Sequence, residues 1–230
     1  MLRFDQVTVQ QGTFHLQVDG HIDPGTWTAV VGPSGGGKST LLAAIAGFLT
    51  PKSGKITWNA QTLDAAPGQR PVSILFQDNN LFPHLTAWEN TALGIAPNLK
   101  VAADDRDRID QALSDVGLAG RAQAKPSELS GGQQSRVAIA RMLLRSNPVI
   151  LLDEPFSALG PALRDEMLGL VKDIQQTQSA TVLMVSHNLA EWESSSDFAW
   201  LVEDGMAHPP QPTEGILNDP PAALKDYLGL

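Results

Sequence analysis

The sequence predicts an α/β fold built on a mostly parallel central sheet. Two observations carry this. PVILLDE and TVLMVSH are short, near-continuous apolar runs, the pattern of strands buried on both faces. They alternate with helix-period segments: QQSRVAIARMLLRS (133–146) before the first run, and PALRDEMLGLVKDIQQ, with Pro161 in its first turn, between the two. Strand–helix alternation around buried strands calls for helices packed on the faces of a parallel sheet. A third feature makes the sheet mixed: LRFDQVTVQ and FHLQVDGHI alternate apolar and polar residues, as antiparallel strands with one solvated face do.

The remaining elements follow in order. TWTAVVG is a β-rich run ending at a glycine loop, and STLLAAIAGFL after it is apolar enough for a buried helix. Gly54–Trp58 and Val72–Phe76 read as further strands. From Ala87 to Ser127 the chain turns Ala- and Asp-rich, with helical spacing in RIDQALSDVGL, and reads as a helical insert; DDRDR (104–108) is a solvated helix face. The Pro-rich tail, AHPPQPTEGILNDPPAALKDYLGL, is expected to pack as short helices.

At 230 residues the chain has the length of one large domain, or of a domain with a small insert, and 42% apolar residues supply a sizeable core. A net charge of −9 argues against nucleic acid as a partner. The absence of cysteine removes disulfides, thiolate chemistry and Cys-ligated metals and fits a reducing compartment. The N-terminus lacks the pattern of a signal peptide, and no stretch approaches the roughly 20 apolar residues of a membrane helix, so any membrane role is expected to come through a partner. The histidines at 15, 21, 84 and 208 show no metal spacing, and the five tryptophans read as packing residues.

The chemistry concentrates in a few motifs. GPSGGGKST, comprising Gly32, Pro33, Ser34, Gly35, Gly36, Gly37, Lys38, Ser39 and Thr40, fits G-x-x-x-x-G-K-[ST] between a strand and a helix. Glycines let the backbone N–H groups wrap phosphates at a helix N-terminus. Lys38 is expected to reach the β- and γ-phosphates, and Ser39 to ligate Mg²⁺. LLDE places Asp153 at the end of a buried strand, suited to hold Mg²⁺ through water, and Glu154 next to it, suited to polarise an attacking water as general base. Without the glycine loop, that acidic pair reads as a helix cap. Gln77 follows a strand and is a candidate to orient water or sense Mg²⁺; alone it reads as a surface glutamine. His187 follows another strand and is a candidate for contact with the γ-phosphate; alone it reads as structural. LSGGQ (129–133) is a second anion-binding loop ahead of a helix. Two such loops need not meet within one chain. In a two-fold homodimer each faces the other kind across a shared ATP.

The order of these motifs resembles the ATP-binding subunits of ABC transporters: Walker A (GPSGGGKST), Q-loop (Gln77), signature (LSGGQ), Walker B (VILLDE) and switch histidine (His187). The resemblance covers essentially the whole chain. It implies an ABC cassette with a P-loop NTPase core, an antiparallel β-subdomain and a helical subdomain, here residues 1–86 and 128–230 against 87–127. It further implies that Ser130, Gly131 and Gly132, with Gln133 beside them, touch ATP bound by the partner protomer. The connecting stretches GFLTPKSGKI, RPVSILFQDNNLFPHLTAWENTALG and LLDEPFSALGPALRDEML are similar to the ATPases of thiamine importers. That likeness implies import of thiamine or its phosphates, from the periplasmic side, by an ATPase at the cytoplasmic face of a bacterial inner membrane. Membrane permease subunits and, indirectly, a periplasmic substrate-binding protein are the implied partners. Import of another small solute such as iron, sulfate or a polyamine is the alternative, since the solute never touches this chain. Other ATPases fit less well: DNA-repair relatives need long coiled coils, translation-factor relatives carry two cassettes, and a kinase or GTPase leaves LSGGQ idle.

Two positions depart from the family pattern. Gly160 stands where the family has the aspartate of SALD, and Gln11 falls where an aromatic residue stacks on adenine, with Phe14 nearby as a substitute. Leu81, Phe82 and Leu85 in NNLFPHLTAWEN are read as an exposed groove for a permease helix or as core of the helical subdomain.

Overall fold

The computed structural model describes residues 1–222, 224 and 225; the end of the tail expected to pack as short helices lies outside the described residues. In chain order the elements are β1 (Leu2–Gln11), β2 (Phe14–Ile22), β3 (Trp27–Val31), α1 (Lys38–Ala46), β4 (Ser53–Trp58), β5 (Gln61–Thr62), β6 (Val72–Phe76), α2 (Ala87–Ala92), α3 (Ala103–Asp115), α4 (Gly131–Arg145), β7 (Val149–Asp153), α5 (Pro161–Gln178), β8 (Thr181–Val185), α6 (Leu189–Ser195), β9 (Phe198–Glu203), β10 (Met206–Ala207), β11 (Gln211–Pro212) and α7 (Thr213–Asn218). They fall into two compact units. The first holds Met1–Val72, Pro148–Glu154 and the chain from Ser179 onward; the second holds Ser73–Asn147 and Pro155–Gln178.

The first unit is a mixed sheet in the order β5-β4-β1-β2-β10-β9-β3-β8-β7. Strands β9, β3, β8 and β7 run parallel. All of β3 and β8, and residues 149–152 of β7, are buried, as their unbroken apolar runs require. β1 pairs antiparallel with β2 and with β4, and the apolar positions Leu2, Phe4, Val7 and Val9 point to the core. Trp27, Trp192 and Trp200 are fully buried, so three of the tryptophans are packing residues. The parallel order sets the chemistry. The carboxyl ends of β3, β8 and β7 lie along one edge of the sheet, the place where open α/β sheets bind ligands.

Helix α1 stops at Ala46, earlier than its apolar run suggests, because Gly47 takes a left-handed conformation and closes the last turn with its N–H on Ala43 and Ala44. Phe48 is thereby left 54% exposed. Arg70 caps the same helix end. Its Nη1 donates to the carbonyls of Ala44 and Ile45 at 2.8 and 2.9 Å, and its Nε to Ala65 at 2.8 Å. Strand β9 and helix α6 were not foreseen from the sequence, although FAWLV carries the same apolar signal as the strands that were.

The second unit is mainly helical. α2, α3 and α4 pack on one another, and α5 packs on α4. α3 buries Ile109, Ala112 and Leu113 and turns Asp104, Arg106, Asp107 and Arg108 to solvent. α4 begins at Gly131, two residues earlier than its apolar period indicates, because Ser130 supplies the N-cap. Before α2, the fully buried Asn90 ties the loop 82–86 together: its Nδ2 donates to the carbonyls of Phe82, Leu85 and Thr86, and its Oδ1 accepts from Phe82 N. This loop presents Phe82 at 47% exposure, while Leu81 and Leu85 are half-buried. Among the described residues no helix is long and apolar enough to cross a membrane.

Arg70→Met should lower the unfolding free energy by about 2 kcal/mol, the cost of stripping buried carbonyls of a charged donor. Urea unfolding of the purified chain measures this.

Candidate nucleotide site

The glycine loop is shaped by what it rests on. Gly32 has φ +138°, and a Cβ there would stand 2.1 Å from the Val202 carbonyl oxygen of β9; a Cβ on Gly36 would stand 2.6 Å from the same atom. Only glycine permits this approach. Gly205, in the turn after β9, donates its N–H to the Gly36 carbonyl at 3.2 Å. On the other flank a Cβ on Gly37 would stand 3.0 Å from Leu16 Cδ1 and 3.1 Å from the Phe14 ring, and Thr40 Oγ1 lies 3.5 Å from Gln11 Oε1. The segment holding the two unusual residues of β1 and β2 therefore borders the loop.

Lys38, the first residue of α1, is buried, and its Nζ donates back to the carbonyls of Gly32 and Pro33 at 2.7 and 2.9 Å. Burial lowers its pKa, opposed by the nearby Glu154 and Asp153. Ser39 Oγ lies 3.4 Å from Asp153 Oδ1. Burial raises the Asp153 pKa, the Ser39 hydroxyl lowers it, Glu154 raises it and Lys38 lowers it. A half-buried carboxylate beside a serine hydroxyl and an ammonium is an oxygen-donor set suited to a hard divalent cation and a phosphate chain.

Glu154 has φ +49°, a conformation uncommon for glutamate, and its N–H is tied to the Val185 carbonyl of β8 at 3.1 Å. The turn aims its Oε1 at His187 Nδ1, 3.1 Å away. A carboxylate only accepts, so the imidazole presents Nδ1–H to it. The loop bearing His187 is braced from below: Ser186 Oγ accepts from Asn188 N at 3.0 Å and donates to Glu191 Oε2 at 2.5 Å.

The first unit thus brings together the loop 32–40, Asp153, Glu154 and His187. Gln77 and LSGGQ belong to the second. Gln77 follows β6 directly and is exposed. Ser130 and Gln133 form a reciprocal capping box on α4: Ser130 Oγ accepts from Gln133 N at 3.3 Å, and Gln133 Oε1 accepts from Ser130 N at 3.0 Å. The N–H groups of Gly131 and Gly132 remain the natural anion donors at this helix start. A Cβ on Gly132 would stand 2.4 Å from Leu163 Cδ2 of α5, the end of a side chain that would have to shift. Gly160 accepts from Arg164 N at 3.0 Å and so occupies the position before the first turn of α5; a Cβ there would meet nothing within 4 Å.

Several supports were not legible beforehand. Val202 and Gly205 as props of the loop, and Arg70 and Asn90 as carbonyl clamps, act through backbone atoms of distant segments, and no motif spacing announces them.

Comparison with known proteins agrees with this geometry. The ABC transporter family profile matches residues 16–157. The chain is 56% identical over 230 residues, all of both chains, to the thiamine import ATP-binding protein ThiQ of Cereibacter sphaeroides. It is 49% identical, again over the whole of both, to that of a Ruegeria species. Among solved structures, cbiO1 from Clostridium perfringens, part of the ABC transporter complex cbiONQ, superposes with a TM-score of 0.84 at 27% identity, covering 95% of this chain and 90% of that one. The dimeric post-hydrolysis state of the ATP-binding cassette MJ0796, bound to ADP and Pi, gives 0.79 at 29% identity, covering 93% and 99%. With its glycine loop, LSGGQ cap and acidic strand end in this order on an ABC-type P-loop fold, the chain belongs to the ABC transporter family as one of its ATP-hydrolysing subunits.

Proposed function

We propose that this chain powers the import of thiamine, or its phosphates, through a bacterial inner-membrane permease, working as a homodimer at the cytoplasmic face. The observation that carries the solute is the full-length identity of 56% to a thiamine import ATP-binding protein. The dimeric cassette among the structural neighbours supports the assembly. Phe82, held out by the Asn90-tied loop, is the side chain we assign to the permease. A periplasmic binding protein delivers the solute to the permease and does not touch this chain.

In the mechanism, the N–H groups of Gly35, Gly36 and Gly37, with Pro33 and Ser34 shaping the turn and Thr40 in the first turn of the helix, wrap the phosphates of ATP. Lys38 Nζ, which donates to two loop carbonyls, turns to the β- and γ-phosphate oxygens, which exchanges neutral acceptors for anionic ones. Ser39 and Asp153 would hold Mg²⁺, which would neutralise phosphate charge. Ser130, Gly131, Gly132 and Gln133 of the partner protomer close the site. Glu154 Oε accepts a proton from water as the water oxygen attacks the γ-phosphorus, and the bond to the ADP oxygen breaks in line. His187 keeps that carboxylate aimed. Each catalytic part positions charge rather than forming covalent bonds, as phosphoryl transfer requires.

Glu154→Gln should retain ATP binding, reduce turnover at least about 10²-fold, and accumulate an ATP-bound dimer on size-exclusion chromatography; turnover within a few-fold of the parent would move the base role elsewhere. Asp153→Asn should abolish Mg²⁺-dependent ATP binding yet raise the Tm of the nucleotide-free chain. Its folded pKa is raised, so its stabilising contribution is full below the unfolded value and is lost as pH rises through the folded one; at neutral pH the buried charge destabilises. The gain in Tm should shrink toward acid pH in calorimetry. For the solute, ATPase activity of the chain assembled with its permease in lipid should rise with thiamine-loaded binding protein and not with the empty protein. A flat response alongside good basal turnover would discard thiamine and keep the ATPase.

A further inference from the structure

Arg141 lies on α4, ten residues beyond the start of the helix that LSGGQ opens, and it reaches back to the loop behind Gln77. Its Nη1 donates to the Asn80 carbonyl and its Nη2 to the Asn79 carbonyl, both at 2.9 Å. Asn79 and Asn80 are consecutive left-handed residues, with φ +59° and +47°. The turn is closed at its other end by Asn79 N on the Phe76 carbonyl at 3.0 Å, and Asn80 N is held by Asp78 Oδ1 at 3.2 Å. Gln77 is therefore the first residue of a turn suspended between strand β6 and helix α4.

The arrangement has a physical cost that packing alone does not recover. Burial, and then the nearby Arg145, pull the Arg141 pKa down. The buried Asn79 Oδ1 has no hydrogen-bond partner among the described residues. What the guanidinium provides is geometry: a planar fork whose two ends grip two successive carbonyls, which a lysine, with one point of attachment, cannot reproduce.

We propose that Arg141 is a positioning residue for ATP hydrolysis, fixing the turn that presents Gln77 to the helix that presents Ser130, Gly131, Gly132 and Gln133, so that the two nucleotide-facing segments of this unit move as one piece. The inference rests on the assignment of Gln77 and LSGGQ to the nucleotide.

The test is a double-mutant cycle on ATP turnover by the full chain assembled with its permease, using Arg141→Lys, Gln77→Ala and the two combined. Arg141→Lys should lower kcat by about 10- to 100-fold, the scale of a misplaced contact, with the KM for ATP little changed. The combined variant should fall no further than Gln77→Ala alone, because both act through one contact. Amide exchange should quicken at 77–80 while α4 stays protected. If Arg141→Lys does not fold, Asn80→Pro carries the same test from the exposed side of the loop, since its fixed φ removes the left-handed carbonyl from reach; it should give the same loss of kcat. Parent-like kcat in either folded variant, or losses that multiply with Gln77→Ala as a general packing defect would, overturn the role of Arg141. Parent-like kcat in Gln77→Ala alone instead overturns the assignment of Gln77, and the inference with it.

Discussion

The nucleotide half of this protein depends on one close approach. The glycine loop after β3 lies so near the Val202 carbonyl of β9 that no side chain fits at Gly32 or Gly36. That contact sets the height of the loop above the sheet edge and, through it, where the Lys38 amine and the start of α1 stand. The parallel order β9-β3-β8-β7 then does the rest. Because β3, β8 and β7 end on the same edge, the loop, His187 and the acidic pair converge, although about 150 residues of sequence separate the first from the last.

The site concentrates unfavourable electrostatics. A buried ammonium rests on two neutral carbonyls, a desolvated carboxylate has a serine hydroxyl beside it, and a glutamate holds a left-handed backbone. The capping box of α4 prepares the other face in a different way. Ser130 and Gln133 satisfy one another, which leaves the glycine N–H groups between them for an anion.

Legibility followed the range of the interactions. The loop 32–40, Asp153, Glu154, His187 and LSGGQ were readable because their chemistry needs fixed residue types at fixed local spacing, and the buried strands because an unbroken apolar run has few other uses. Helix ends were read less well. α1 ends at Gly47 and α4 begins at Ser130 because of capping geometry, which apolar periodicity does not register. β9, the strand on which the loop rests, carries an apolar run but no motif that marks it.

By itself the sequence determined the class of fold and the ATP chemistry, and it pointed to candidate groups for that chemistry, since a phosphate cradle, a metal carboxylate and a general base are each signalled by a few adjacent residues. Only the tertiary structure decided how those groups are held. The clamps at Arg70, Asn90 and Arg141 all grip backbone carbonyls, the prop at Val202 is itself a carbonyl, and a carbonyl belongs to every residue alike. Its partner is chosen by where the folded chain carries it, which no local pattern of side chains encodes.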